Sequence, residues 1–187
     1  PDNYQMSPEN VFARRTSPTN IGLQLLSTLS ARDLGYLSIT GLVERLEKVF
    51  STLSKLERWN GHLYNWYDTR SLKVLFPKYV SSVDSGNFTG YLIVLRNALQ
   101  EITKKPLFSQ NQFVGLHDTI KLTGMDLSLS EPSGIGEWKN LLAFINESLS
   151  YELKPWYDDE WILLLKNACR GFEQDVKLTE NMNEEIH

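Results

Sequence analysis

The spacing of apolar residues between positions 38 and 57 is the feature that most constrains the fold. Apolar side chains recur there every three or four positions, at Ile39, Leu42, Val43, Leu46, Val49, Phe50, Leu53 and Leu56. This spacing puts them in one stripe along an α-helix, so the sequence predicts an amphipathic helix from Ser38 to Glu57. Because the chain shows no convincing alternation of apolar and polar residues, it is predicted to be all-α.

Start and stop signals place further helices on either side of this one. Ser17 followed by Pro18 predicts the N-cap and the first turn of a first helix. Ser109 and Gln112 have the spacing of a capping box, and Gly124 suits the C-terminal end of the helix that they begin.

Three more helices are predicted from their apolar faces. They begin near Ser85, before Trp138 and at Asp158, which can cap the last helix. Their core-facing residues are expected to be Phe88, Tyr91, Leu92, Leu95, Leu99 and Ile102; Trp138, Leu141, Leu142, Ile145 and Leu149; and Trp161, Leu164, Leu165, Ala168, Phe172 and Val176. About six helices with alternating short and long connections predict stacked helical hairpins in a single domain of residues 1–187.

The two ends of the chain are polar. Residues 1–16 are predicted to be an irregular lead-in segment, and residues 179–187 a frayed tail. Because the sequence begins at Pro1 without a methionine, we expect it to be part of a longer protein.

Composition argues against several classes of function. With 41% hydrophobic residues and a net charge of −4, the 187 residues suit a soluble globular domain and not a non-specific nucleic-acid binder, which needs a basic face. No run of about 18 apolar residues occurs, so this segment is not expected to span a membrane.

Cys169, the only cysteine, lies in an apolar stretch and is expected to be an inert core thiol in a reducing compartment. His62, His117 and His187 lack the spacing of metal ligands, and no phosphate-binding loop occurs, so neither a metal nor a cofactor is predicted.

The connection between the second and third helices, residues 58–84, is rich in aromatic side chains. Its segment WNGHLYNWYDTR, from Trp59 to Arg70, mixes four rings with amide, carboxylate and guanidinium groups. An aromatic ring can cover the C–H face of a pyranose while such polar groups bind its hydroxyls. The segment therefore predicts a sugar-binding loop, although packing of a long loop onto the core explains the rings equally well. Trp66 and Tyr67 are adjacent, so one of them is expected to point into the core.

Polar residues near this connection have both a structural and a binding interpretation. Asp68 and Arg70 can pair with each other or hold a sugar hydroxyl. Asp84, Ser85 and Asn87 crowd the predicted start of the third helix, where they can cap its N–H groups or face a pocket.

Asp68 and Asp84 are also the acids best placed for glycoside chemistry. That chemistry needs two carboxyl groups about 5–5.5 Å apart for retention, or about 6.5–9.5 Å apart for inversion. The sequence does not show that the two side chains converge, so they are weak catalytic candidates.

Three longer segments together resemble one protein family. They are PDNYQ at Pro1 with RTSPTNIGLQLLSTLSARDLGYL, then ERLEKVFSTLSKLERWNGHLYNWYDTRSL, then PKYVSSVDSGNFTGYLIVLRNAL. They resemble the region of cyclic β-1,2-glucan synthases that follows the glycosyltransferase domain. The resemblance is close through about residue 100, and from Glu101 onward only the helical rhythm is similar. Trp59 and Asn60 depart from the pair that the family has before Gly61.

The resemblance implies a large enzyme at the cytoplasmic face of the bacterial inner membrane, which elongates β-1,2-glucan from a sugar nucleotide and closes it into a ring. It implies that this region is about half of an (α/α)6 toroid of glycoside-hydrolase type, which cyclises the glucan by transglycosylation. The family's catalytic acids are expected in the later half of that toroid, outside this chain. At matching positions, the sugar cleft would be lined by Asn65, Trp66, Tyr67, Asp68, Thr69 and Arg70 and bordered by Asp84, Ser85 and Asn87.

Three functional hypotheses follow. The first is a fragment of the cyclising transglycosylase that binds a β-1,2-glucan chain, pairs with the remaining half of the toroid and is inactive alone. The second is a non-catalytic helical domain whose aromatic loop docks another protein, and the third is a stand-alone glycosidase that uses Asp68 and Asp84. The half-toroid interpretation predicts exposed apolar helix faces, through which the chain can also form homo-oligomers.

Overall fold

The structure, a computed structural model, describes residues 3–5, 11–151 and 159–184. Within those residues the predicted all-α class is confirmed, since most of the regular structure consists of six helices. The helices are α1 (Pro18–Asp33), α2 (Ile39–Leu53), α3 (Ser82–Ile102), α4 (Gln110–Leu122), α5 (Ile135–Tyr151) and α6 (Asp159–Glu184). Short strands are β1 (Asn3–Gln5), β2 (Val11–Ala13), β3 (Arg15–Thr16), β4 (Arg58–Trp59), β5 (His62–Leu63) and β6 (Tyr67–Asp68). They form three antiparallel pairs, β1 with β2, β3 with β6, and β4 with β5.

Helix α1 begins where its cap signal predicted, whereas α3 begins earlier than predicted. The Ser17 hydroxyl accepts a hydrogen bond from the backbone N–H of Asn20 at 3.2 Å, which confirms the N-cap of α1. Helix α3 begins at Ser82 and is capped by Ser81, whose Oγ accepts from the N–H of Asp84 at 3.1 Å. The predicted start near Ser85 is therefore wrong by about one turn. Asp84 lies inside the first turn, where its carboxylate is free to contact other elements.

The segments predicted to be irregular contain more regular structure than expected. Within the lead-in segment, residues 1–16, the described part forms β1, β2 and β3. Helix α6 continues to Glu184, so the predicted tail, residues 179–187, is helical through residue 184. Conversely, α2 ends at Leu53, four residues before the predicted end. The predicted cap Asp158 lies outside the described residues.

The chain groups into two compact units, the first formed by residues 1–29 and 45–104 and the second by residues 30–44 and 105–187. The core of the first unit is made of Ile21, Leu53, Leu56, Leu63, Tyr67 and Val74. In this unit Gly22 permits close packing, because a Cβ there would lie 2.2 Å from a ring carbon of Tyr91.

The core of the second unit is built mainly from α4, α5 and α6. Its buried residues are Leu116, Ile120, Met125, Trp138, Leu141, Leu142, Ile145, Leu149, Ile162, Leu165, Cys169, Phe172 and Val176. The predicted face of α5 is confirmed, but that of α6 is partly wrong. Leu164 is exposed and Trp161 is only half-buried, whereas Ile162 and Cys169 are buried.

A buried carboxylate at the start of α2 also stabilises the second unit. The fully buried carboxylate of Asp175 accepts from the backbone N–H groups of Ile39 and Thr40 and from the Thr40 hydroxyl, at 2.6–2.9 Å, and so caps α2. Burial raises the pKa of the Cys169 thiol to about 12. None of the helices in the described ranges is long and apolar enough to cross a lipid bilayer.

Candidate functional site

Strand geometry separates the adjacent residues Tyr67 and Asp68. Strand β6 pairs with β3 so that Thr16 lies opposite Tyr67 and Arg15 lies opposite Asp68. Because successive side chains of a strand point to opposite faces, Tyr67 enters the core of the first unit while Asp68 does not.

Tyr67 is a structural residue of this core. Its side chain is completely buried, its hydroxyl donates to the carbonyl oxygen of Glu57 at 2.6 Å, and the N–H of Tyr64 donates to the same hydroxyl at 2.7 Å. Burial raises the pKa of Tyr67, so the phenol stays protonated. The ring presents no face to a ligand, and the expectation that Tyr67 lines a sugar cleft is therefore wrong.

Trp66 is half-buried and already makes two polar contacts. The guanidinium carbon of Arg15 lies 4.5 Å from its ring centroid, which is a cation–π contact. The indole N–H donates to the amide oxygen of Asn65 when that amide is oriented to satisfy its neighbours. Arg15 therefore covers one face of the indole, and a sugar can stack only on the part of the ring that stays exposed.

Asn65 joins the aromatic segment to the start of α3. In the same orientation its amide nitrogen donates to Oδ2 of Asp84 at 2.9 Å, and its oxygen also accepts from the Tyr79 hydroxyl. The backbone N–H of Asn65 donates to the Tyr79 carbonyl at 2.9 Å. The side chain is buried, so these hydrogen bonds fix it and, through it, the carboxylate of Asp84.

Asp84 brings a third segment of the chain to the same place. The Thr19 hydroxyl donates to Oδ1 of Asp84 at 2.7 Å, and the Asn87 amide nitrogen donates to the Thr19 hydroxyl at 3.4 Å. Partial burial pushes the pKa of Asp84 up, but hydrogen bonds from Ser81, Thr19 and Ser17 hold it below its ordinary value. We call Thr19, Asn65, Asp84 and Asn87 the Asp84 cluster, a group of amide, hydroxyl and ionised carboxylate side chains.

Asp68 instead orders its own turn. Its Oδ1 accepts from the backbone N–H groups of Arg70 and Ser71 and from the Ser71 hydroxyl, at 2.7–3.0 Å. These hydrogen bonds, those from Ser71 first, lower the pKa of Asp68. The N–H of Thr69 donates to the carbonyl of Arg14 at 3.0 Å, which ties the turn to the segment before β3. Asp68 therefore holds Arg70 through its backbone, and the Arg70 side chain is exposed.

No hydrogen bond joins the side chains of Asp68 and Asp84. They accept hydrogen bonds from different donors, and the pKa values of both are lowered. A glycosidase needs one carboxyl group that stays protonated near neutral pH, which requires a raised pKa. Neither aspartate has the raised pKa that a general acid requires, and the stand-alone glycosidase stays a prediction.

The aromatic segment also contains a hairpin that the sequence reasoning missed. Strands β4 and β5 are joined by Asn60 and Gly61, both with positive φ, at 47° and 85°. Asn-Gly with two positive φ angles is typical of a type I′ hairpin turn, and this dipeptide was the available signal. Trp59 lies opposite His62 in the pairing, so the two side chains share a face, while Leu63 is buried on the other.

Trp59 and His62 form one wall of an open groove of about 700 Å³ against α3. We call it the Trp59 groove; its lining residues are Trp59, His62, Val80, Ser82, Ser85, Gly86, Thr89, Gly90 and Ile93. The predicted site residue Ser85 belongs here, since its hydroxyl lies 3.3 Å from Nδ1 of His62. The residues predicted for a single cleft are thus distributed over the Asp84 cluster, the turn of Asp68, the core position of Tyr67 and the Trp59 groove.

Comparison with known proteins supports the resemblance found in the sequence. No protein-family model matches the chain. A stretch of 106 residues, 57% of the chain, is 47% identical to the cyclic β-(1,2)-glucan synthase NdvB of Rhizobium meliloti (strain 1021). The predicted resemblance to a cyclic β-1,2-glucan synthase is confirmed over that stretch. The matched stretch spans 4% of the length of that relative.

Proposed function

We propose that the chain is part of a cyclic β-1,2-glucan synthase and contributes glucan-binding residues to a domain that closes the glucan by transglycosylation. The observation that carries this proposal is the Asp84 cluster. Thr19, Asn65 and Asp84 come from the three segments that resemble the family, and hydrogen bonds join them in one place. Amide, hydroxyl and carboxylate groups are the types that bind sugar hydroxyls.

The members of the site have different proposed roles. Asn65 is buried and Asp84 accepts hydrogen bonds from several neighbours, so these two residues position the other side chains of the Asp84 cluster. Asn87 and Arg70 are exposed and bind glucan hydroxyls directly. Trp66 offers the part of its indole that Arg15 leaves open to the C–H face of a glucose unit.

The exposed face of α3 supports the presence of a partner in the parent protein. Val83 and Val94, which lie on one side of this helix outside the groove, are 69% and 49% exposed, which is unusual for residues of their kind. We assign the cover of these two residues to the remaining half of an (α/α)6 toroid, in an enzyme at the cytoplasmic side of the inner membrane. Replacing Val83 and Val94 by lysine should leave the chain folded and abolish its association with that half supplied in trans. Unchanged association would refute this assignment.

Titration with β-1,2-linked gluco-oligosaccharides tests the sugar-binding role. Asn87→Ala is expected to weaken binding about three- to tenfold, the effect of losing one or two hydrogen bonds. Asn97→Ala is the matched control, because Asn97 is an exposed asparagine of the same helix and should leave binding unchanged. Equal affinities of the two variants would overturn the role of the Asp84 cluster.

Two further measurements sharpen the test. Trp66→Ala should weaken binding if the indole stacks on a glucose unit, and unchanged binding would remove Trp66 from the site. The chain alone is expected to release no reducing sugar from β-1,2-glucan. Release that is abolished by Asp68→Asn or Asp84→Asn would instead support the stand-alone glycosidase.

A further inference from the structure

We propose that the Trp59 groove is a second carbohydrate-binding site, which takes an uncharged pyranose unit. Trp59 and His62 belong to the segment predicted to bind sugar, but of the groove residues only Ser85 was placed at the cleft by the family resemblance. The groove shares no residue with the Asp84 cluster. The inference rests on the proposed function, since a neutral glucan is the ligand that such a protein would meet.

Trp59 is held where a ligand can reach its ring. Its side chain is 55% exposed, although indoles are usually mostly buried. The Asn60–Gly61 turn fixes the register of the hairpin and so places Trp59 and His62 on one face. An indole held at the wall of a groove by a rigid turn is suited to stack on the C–H face of a sugar ring.

One face of α3 forms the floor of the groove. Ser82, Gly86, Thr89 and Gly90 recur at the three- and four-residue spacing of a helix face, and all have small side chains. A Cβ added at Gly86 or Gly90 would meet nothing within 4 Å, so the space above them is open. The floor is therefore shallow enough to admit a ring and carries hydroxyls that can bond to it.

The groove is free of fixed charge among the residues that the structure describes. None of its described lining residues carries a carboxylate, ammonium or guanidinium group, and His62 is the only titratable one among them. The His62 ring lies 3.3 Å from the Ser85 hydroxyl, a contact that orients both polar groups across the groove. A site without fixed charge favours a neutral, hydroxyl-rich ligand over a phosphorylated or acidic one, and without a carboxylate pair it binds sugar and does not cleave it.

The test uses the full 187-residue chain, labelled with ¹⁵N, and the indole N–H signals of its five tryptophans. During titration with β-1,2-linked gluco-oligosaccharides, the Trp59 signal should shift saturably. Trp59→Ala should weaken binding about five- to tenfold, whereas Trp59→Phe should restore most of it, because a phenyl ring can still stack.

A second variant tests the groove without removing its aromatic wall. Gly86→Leu should fill the space and weaken binding at least as much as Trp59→Ala. The substitution should leave the fold intact, because the added Cβ has room and leucine is a better helix former than glycine. Asn97→Leu is its control, because it adds the same side chain to an exposed position of α3 outside the groove.

The outcomes separate this inference from the proposed function. If Asn87→Ala weakens binding while Trp59→Ala and Gly86→Leu do not, the Trp59 groove is not a sugar site and the Asp84 cluster stands. If Trp59→Ala and Gly86→Leu weaken binding while Asn87→Ala does not, the groove stands and the proposed role of the Asp84 cluster fails. Chains that bind no β-1,2-linked oligosaccharide at all would overturn both. Tighter binding of a glucuronic acid oligomer than of the neutral one would overturn the charge argument and with it the proposal.

Discussion

Aromatic rings are used differently in the two units of the chain. In the second unit Phe108, Trp138 and Phe172 pack against one another, with centroids 4.6–6.2 Å apart, and Phe172 is completely buried. Among the aromatic residues of the first unit whose burial the structure describes, only Tyr67 is comparably buried, while Trp59 is 55% exposed. Rings that pack on rings stabilise a core, whereas exposed rings beside polar groups remain available to a ligand. Under the proposed function, ligand contact belongs to the first unit, whereas the ring cluster of Phe108, Trp138 and Phe172 packs the core of the second.

The largest expected change in stability tests whether the ring cluster packs the core of the second unit. Phe172→Ala should lower the free energy of unfolding by about 3–5 kcal/mol, because it removes a buried ring and leaves a cavity. Phe144→Ala is the control, since Phe144 is 47% exposed on α5 and should cost about 1 kcal/mol or less. Chemical denaturation measures both. Similar losses for the two variants would contradict the role of the ring cluster.

The next effect tests whether Tyr67 belongs to the core and not to the site. Tyr67→Phe should lower the free energy of unfolding by about 1–3 kcal/mol, because the Tyr64 N–H loses its acceptor and the Glu57 carbonyl loses its donor. Tyr36→Phe, at a 45% exposed tyrosine, should change it little. Denaturation curves at one pH give the difference, and the affinity for oligosaccharides should be the same in both variants. Weaker sugar binding in folded Tyr67→Phe would return Tyr67 to the site.

A smaller effect should depend on pH. The pKa of Asp84 is lower in the folded chain than in the unfolded one, where it is about 3.9. The ionised carboxylate therefore stabilises the fold above that value, and this contribution is lost as the pH falls through the folded pKa. The stability difference between the wild type and Asp84→Asn should be constant near neutral pH and narrow below about pH 4. A difference that grows on acidification would show that the hydrogen bonds of Asp84 do not favour its ionised form.

The smallest expected effect is also the sharpest test of the comparison. Trp59→Ala should change the free energy of unfolding by no more than about 0.5 kcal/mol, because more than half of the side chain is exposed. The same substitution should still weaken sugar binding. Thermal unfolding measures the change in stability, and the oligosaccharide titration measures the change in affinity. A large loss of stability would make Trp59 a packing residue like Phe172.

The existence of the helices followed from the sequence, but the buried side of α6 did not. The start of α1 at Ser17–Pro18 and the face of α5 were predicted correctly, because caps and periodicity are local signals. In α6 four apolar residues, from Ile162 to Leu165, follow one another, so two neighbouring stripes are almost equally apolar. Packing against the other helices of its unit selects Ile162 over Leu164, and that choice is not encoded in periodicity.

The site was predicted as a set of residues and not as an arrangement. Thr19 and Asp84 are 65 positions apart, and no local pattern indicates that they share a hydrogen bond. The hairpin of β4 and β5, by contrast, has a local signal, because Asn60–Gly61 is a dipeptide typical of a type I′ turn. This dipeptide alone predicts a hairpin in which Trp59 lies opposite His62.

The burial of Cys169 has a practical consequence for these experiments. A thiol reacts with alkylating and labelling reagents through its thiolate, and a pKa of about 12 leaves almost none at neutral pH. Because this is the only cysteine of the chain, a cysteine introduced on α3 outside the groove, for example at the exposed Asn97, would be the single reactive handle for a spin label or a fluorophore. Occupancy of the groove can then be followed by spectroscopy without first removing the native thiol.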